Sequence, residues 1–418
     1  MKKLLFSGWL VFQQLVAVTQ PLGNDTLRLN LVAAEAGLLK SNLNLIAAYY
    51  DIDAAEAELI QARLWVNPNF VWNQDLYSNE QNRYFNVKNQ RLVQVEQVFS
   101  IAGKHTNTVR LARISLEQNR LQVEDILRSL LFELGQSFFA LEASQQKQRL
   151  LQATVARYDQ LIASAEERLR VGAMASNEVV RLKSEQIAVR AELRQNQNDI
   201  LNHLSVVRIL LNLKESVYVV ADQEEMPGNE PVVLHQLIDY ALSQRPDHLL
   251  KLKQVSYQNQ NLRLQKSLAI PDLNIAYQPH DKGSNYVRPY QGVNLEFNVP
   301  FFNRNQGNIK LAKVRITQAQ TFLALSETTV RNEVAMAYEQ FVNSKRGFED
   351  YTTEFLQQTE SLNTNANDNY TKKNINILEF IDLQRIYIIN KTQYIDLRNA
   401  YLTSVNQLNF SVGKKVIP

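Results

Sequence analysis

Gly292-Val293-Asn294-Leu295-Glu296-Phe297-Asn298-Val299-Pro300 alternates apolar and polar side chains without an error. In a strand, Val293, Leu295, Phe297 and Val299 share one face; Asn294, Glu296 and Asn298 share the other. About 200 residues earlier, Arg91-Leu92-Val93-Gln94-Val95-Glu96-Gln97-Val98-Phe99 repeats the pattern, with Gln97 interrupting its apolar face. Phe70-Val71-Trp72 and Leu273 to Tyr277 open two further strands. Two-faced strands of about ten residues match a membrane β-barrel, although a soluble sheet with one wet face fits any single strand equally well. Trp65, Trp72, Tyr77, Tyr84, Tyr277, Tyr286 and Tyr290 lie in or beside these strands, where an interfacial aromatic girdle would sit.

The surroundings of the strands repeat too. Asn67-Pro68-Asn69-Phe70-Val71-Trp72 and Ile270-Pro271-Asp272-Leu273-Asn274-Ile275 each follow a helical segment. Val95-Glu96-Gln97-Val98-Phe99 and Leu295-Glu296-Phe297-Asn298-Val299 each run into a long helix, at Gly103-Lys104 and Asn303-Arg304. Asn177-Glu178-Val179-Val180 is echoed by Leu378-Glu379-Phe380-Ile381. Four matches in one order at a nearly constant offset indicate a duplication. The halves meet at Met226-Pro227-Gly228-Asn229-Glu230-Pro231, the densest turn signal of the chain. The expected organisation is a signal peptide over 1–20, a first repeat over 21–230 and a second over 231–418. Each repeat reads helix, strand, loop, strand, very long helix, turn, helix.

The long helices carry heptads: Leu127, Leu131, Leu134, Phe138 and Leu141, then Leu151, Tyr158, Ile162, Ala165 and Leu169. In the second half Val330, Val334, Ala337, Phe341, Phe348, Tyr351, Phe355 and Leu362 keep the spacing, predicting one unbroken helix. From Gly103 to Arg170 such a helix spans about 100 Å, wider than a compact domain. Val171-Gly172-Ala173-Met174-Ala175-Ser176 closes the first hairpin, with Gly172 suited to a helix C-terminus and Ser176 to the next N-cap. Lys372-Lys373-Asn374-Ile375-Asn376 closes the second. Leu193, Ile200, Leu204, Val207 and Leu211 form the returning heptad.

The chain has 418 residues, 12 Gly, 10 Pro and a net charge of +3. So few chain breakers favour long helices, and the even charge balance argues against nucleic-acid binding. Zero cysteines exclude disulfides, thiolate sites and an acyl anchor on a cysteine of this sequence. Lys2 and Lys3 followed by the mostly apolar Leu4 to Val18 read as an export signal. No later stretch reaches the roughly 18 apolar residues of a membrane helix, so any crossing is made by strands. Four strands cannot close a barrel. Two copies would give eight strands with a filled interior, and three would give 12 with a lumen. A homo-oligomer is therefore expected.

These residues resemble the TolC family of outer-membrane efflux proteins over essentially the whole mature chain. Val299-Pro300-Phe301-Phe302-Asn303-Arg304-Asn305-Gln306-Gly307-Asn308-Ile309 and Gln97-Val98-Phe99-Ser100-Ile101-Ala102-Gly103-Lys104 resemble the strand-to-helix junctions of its heavy-metal branch, the CzcC and CusC type. The resemblance implies a mainly α fold with a small β part: long coiled helices in a periplasmic α-barrel, and four strands per chain in a 12-stranded outer-membrane β-barrel of a homotrimer. It also implies a periplasmic adaptor and an inner-membrane pump of the RND class as partners. Arg170-Val171-Gly172 through Glu178 resembles the hairpin tip that meets the adaptor, with Gly172, Ser176 and Glu178 there and Lys373 and Asn374 at the second tip. Glu379 and Asp382 match acidic positions at the closed pore entrance; as helix-start residues they equally suit the helix dipole. Lys373 departs from the family, whose second turn usually has Gly, and its charge weighs against cation selectivity.

Lys104 and Arg304 read as anchors at the membrane boundary or as plainly exposed helix starts. Pro300, Asn303 to Gly307 and Gly103 read as a structural bend. His105, His203, His235, His248 and His280 form no HxxxH or HExxH pair, and Met174, Met226 and Met336 are scattered. No phosphate loop or nucleophile elbow is present. The expectation is therefore a passive channel, without cofactor or enzymatic activity, for export of heavy-metal cations. The alternatives are a duct for drug or type I protein export and, from another class, a soluble periplasmic coiled-coil adaptor or scaffold.

Overall fold

A computed structural model describes residues 25–74, 76–78, 82–84, 91–228, 232–281 and 290–417. The expected signal peptide, Tyr286 and the residues 229–231 at the expected repeat boundary lie outside them, as does the side chain of His280. The first half runs β1 (Thr26–Leu29), α1 (Leu31–Ser41), α2 (Leu43–Arg63), β2 (Asn69–Gln74), β3 (Tyr77–Ser78), β4 (Arg83–Tyr84), β5 (Arg91–Phe99), α3 (Lys104–Arg170), α4 (Ser176–Leu210) and β6 (Tyr218–Ala221). The second runs α5 (Leu234–Gln244), α6 (Pro246–Leu268), β7 (Leu273–Asp281), β8 (Tyr290–Glu296), α7 (Gln306–Glu349), α8 (Thr353–Thr371) and α9 (Ile377–Val412).

Local chemistry sets the helix starts. Asn30 and Asn42 accept from the Ala33 and Leu45 amides and begin α1 and α2. Pro246 opens α6, where its missing N–H costs nothing. With no proline between Gly103 and Arg170, α3 runs 67 residues unbroken, about 100 Å.

The strands form an antiparallel sheet in the order β2-β5-β7-β8. The register puts Phe70 opposite Val95, Val95 opposite Tyr277 and Tyr277 opposite Val293, a continuous apolar row. On the other face Gln278 Nε2 donates to Gln94 Oε1 at 2.8 Å, and Glu96 accepts from Asn69 and Gln94. β2 and β8 are edges without partners among the described residues. The ladder of β8 stops at Glu296, short of the expected Pro300. Its partner β7 begins at Leu273, behind Pro271, so only Leu273 stands opposite Phe297 and no strand residue remains for Asn298 and Val299. The parallel pair β1–β6, which ties the start of the chain to the end of α4, had no signature in the alternation pattern.

The three largest cores among the described residues run along the helices. In the middle, Leu38, Leu134, Phe138, Leu204 and Val207 join α1, α3 and α4. Beside it Ala241, Val334, Phe341 and Leu408 join α5, α7 and α9. Toward the hairpin ends Leu151, Tyr158, Leu182 and Phe380 join α3, α4 and α9. The second long helix is not unbroken as the heptad predicts. Val330 to Phe341 pack as expected, but α7 ends at Glu349, and Thr352 caps α8 by accepting from the Phe355 amide. Asp350, Thr352 and Thr353 offer the backbone local bonds that compete with helix. The rings of Phe348, Tyr351, Tyr394 and Tyr401 pack around the bend.

Candidate functional site: hairpin ends and strand-to-helix junctions

The two hairpin turns have the same backbone. After α3, Gly172 sits at φ +73°; its N–H donates to Leu169 O and that of Ala173 to Arg168 O. After α8, Lys373 sits at φ +62°; its N–H donates to Tyr370 O and that of Asn374 to Asn369 O. Gly172 has open space where a Cβ would stand, so conformation alone explains the glycine. Lys373 holds the same left-handed conformation with a side chain. The expected N-cap, Ser176, is instead the first helical residue. Ala175 occupies the cap position without a side-chain bond, because its extended backbone already lets its carbonyl accept from the Glu178 amide.

In the second hairpin Asn376 caps properly, accepting from the Leu378 and Glu379 amides. Glu379 lies in the first turn of α9, and Asp382 follows one turn on; both are exposed on one face. Inside, Tyr370 stacks on Phe380 with centroids 4.6 Å apart. Arg385 of α9 pairs with Glu185 of α4, and Arg157 of α3 donates to Asn363 of α8 at 2.7 Å. These contacts lock the two hairpins together.

At the junctions, Gly103 (φ +71°) precedes α3 and Asn305 (φ +56°) precedes α7. The equivalent of Gly103 is thus Asn305. Lys104 corrects the sequence reading. It is buried, its Nζ donating to Asp272 Oδ1 at 2.7 Å, so it ties the start of α3 to the segment before β7 and is not a plainly exposed helix start. Arg304 is exposed. Pro300 ends the extended run, and Gly307 lies in the first turn of α7 with open space at its Cβ position. Beside them Phe301 and Phe302 are uncovered, and Trp65 stacks on His105 at 4.2 Å.

Sequence reasoning missed the buried charges of the middle. Glu142 and Arg398 pair at 2.6 Å, both nearly inaccessible, and Arg398 also donates to Glu224 O. Burial outweighs the Arg398 charge and raises the Glu142 carboxyl above its ordinary value. Arg245 bonds Asp247 at 2.7 Å and Glu333 at 2.6 Å. Burial pushes Asp247 up, but the bonds and charge of Arg245, helped by Arg128, prevail and hold it below the ordinary carboxylate value. On a heptad helix such charges look solvated, so only the packing reveals them. Among the described residues no three His, Asp or Glu side chains are grouped to hold a metal ion, and no helix is long and apolar enough to cross a membrane.

Residues 36–212, the helices and strands from α1 to α4, match the outer membrane efflux protein family. Across 92% of this chain and 90% of the relative, it is 20% identical to the cobalt-zinc-cadmium resistance protein CzcC of Cupriavidus metallidurans. It is 21% identical to the probable outer membrane lipoprotein SilC of Salmonella typhimurium over 70% of this chain and 65% of SilC, just under two thirds of that relative. The crystal structure of CusC superposes with a TM-score of 0.72 at 16% identity, covering 92% of each chain. That likeness gives the same fold across the second half, which the family model does not reach.

Proposed function

We propose that three copies of this chain form an outer-membrane channel, the passive duct of a tripartite efflux complex. One observation carries the reading: an antiparallel four-stranded sheet, apolar on one face and hydrogen-bonded on the other, with both edges open among the described residues. Open edges are intolerable in hydrocarbon. Pairing β2 of one copy with β8 of the next removes them and gives 12 strands around a lumen. Phe70, Trp72, Tyr277, Val293 and Leu295 then face lipid, and Gln94, Glu96 and Gln278 face water.

The helices continue as a periplasmic tube. The tips at Gly172, Ser176, Glu178, Lys373 and Asn374 dock onto a periplasmic adaptor, and an inner-membrane pump of the RND class supplies the energy. Residues 1–20 direct export; 21–230 and 231–418 are the two repeats. The cargo is heavy-metal cations, supported by the junction motifs and by the relative named for cobalt, zinc and cadmium resistance. Three copies of Glu379 and Asp382 ring the entrance with negative charge, and weak binding there lets the ion leave.

The test is conductance in planar bilayers. Purified trimer is expected to give discrete channels whose cation preference falls on Glu379→Gln with Asp382→Asn. A silent bilayer with folded trimer contradicts the channel, and unchanged selectivity removes the ring. Loss of drug tolerance with intact zinc, cobalt and copper tolerance in a deletion strain would reassign the cargo.

A further inference from the structure

Phe302 is 95% exposed and Phe301 76%. They continue the uncovered stripe of Val293, Leu295, Phe297 and Val299 past the end of β8. The other repeat places Trp65, 64% exposed, and Ile101 beside its own strands. Beneath this apolar rim the starts of the two long helices carry charge of one sign. Residues 104–116 hold Lys104, His105, Arg110 and Arg113 and no carboxylate; residues 300–326 hold Arg304, Lys310, Lys313 and Arg315 and no carboxylate. In a chain of net charge +3, such segregation is local and not a reflection of bulk composition. Lys104 is taken up by Asp272. Arg110, Arg113, Arg304, Lys310, Lys313 and Arg315 are exposed and in no ion pair among the described residues.

We infer that this junction is a lipid-binding collar: Phe301, Phe302 and Trp65 wedge into the periplasm-facing leaflet, and the basic side chains below them hold anionic phospholipid headgroups. The inference rests on the channel reading, which sets the helices along the membrane normal. At 1.5 Å per residue Lys310 stands about 6 Å below the start of α7, within a headgroup layer of roughly 5–8 Å. Arg110 and Lys313 lie within about a Debye length of it. Two features select lipid over other occupants: the rim is continuous with the lipid-facing strand surface, and the basic collar complements phosphate charge. Phe302 sets depth by the preference of an aromatic ring for the interface, and Arg304, two residues on, reaches the phosphate.

The cysteine-free sequence permits a clean test. Single nitroxides are placed at Trp72→Cys, Phe302→Cys and Ala173→Cys in the full chain, reconstituted in phosphatidylethanolamine–phosphatidylglycerol vesicles. Collision with oxygen and with a nickel chelate reports depth. The expected result is hydrocarbon at 72, water at 173 and the headgroup level at 302. A label at 302 as open to nickel as 173, or shielded from both reagents by a neighbouring copy, overturns the wedge while 72 stays in hydrocarbon. Nickel access at 72 instead overturns the channel reading and the collar with it. With spin-labelled lipids, phosphatidylglycerol is expected to associate at least twofold more than phosphatidylcholine, the ratio falling toward one in Arg304→Gln with Lys310→Gln. A ratio that these changes leave unaltered overturns the headgroup contact.

Discussion

Lys373 holds a left-handed backbone that glycine adopts freely and a side chain opposes. Lys373→Gly is expected to raise stability by about 1 kcal/mol, read as a higher melting temperature; no gain would mean that lysine contacts in the assembly offset the strain. The buried pair behaves otherwise. Arg398→Met leaves the Glu142 carboxyl buried without its counter-charge and is expected to cost about 3–5 kcal/mol, while Glu142→Leu with Arg398→Met costs far less; equal losses by denaturant titration would contradict this. Asp247 titrates below its ordinary value, so the unfolded chain takes up protons first as pH falls. Its stabilisation is complete above about pH 4 and is lost below it. Asp247→Asn is therefore expected to lower the melting temperature more at pH 7 than at pH 3. At this scale the sequence was partly legible: Lys373 stood out as a departure from glycine, whereas Glu142, Arg245 and Asp247 did not, since their partners come from distant segments.

At the scale of elements, alternation and heptad spacing located the strands and long helices because each pattern is fixed by one periodic face. The break between α7 and α8 escaped it. Phe348, Tyr351 and Phe355 keep heptad spacing through the bend, because Phe348 and Tyr351 pack on Tyr394 and Tyr401 of α9, and Phe355 on Tyr351, whether or not the backbone is continuous. The crossing of α3 and α9 was equally hidden. A Cβ on Gly135 would stand 2.7 Å from Asn406 Nδ2, which donates to Phe132 O. Gly135→Ala gains helix propensity of about 1 kcal/mol but forces Asn406 away, at a cost of roughly 1–3 kcal/mol. A net loss of stability is expected in thermal unfolding; a net gain would show that the crossing has room to relax.

At the scale of the molecule, the two-faced strands and one helix of about 100 Å were readable from one chain, but the junction between copies was not, since among the described residues both sheet edges end in open hydrogen-bonding groups. Closure of the sheet by other copies is the central claim. The direct measurement is disulfide cross-linking between edges, scanning single cysteines on β2 against single cysteines on β8 in the otherwise cysteine-free chain and resolving the products on denaturing gels. Pairs in register are expected to yield covalent dimers and trimers and nothing larger. Monomer alone at every pair, or a ladder running past three, would contradict a barrel closed by three copies.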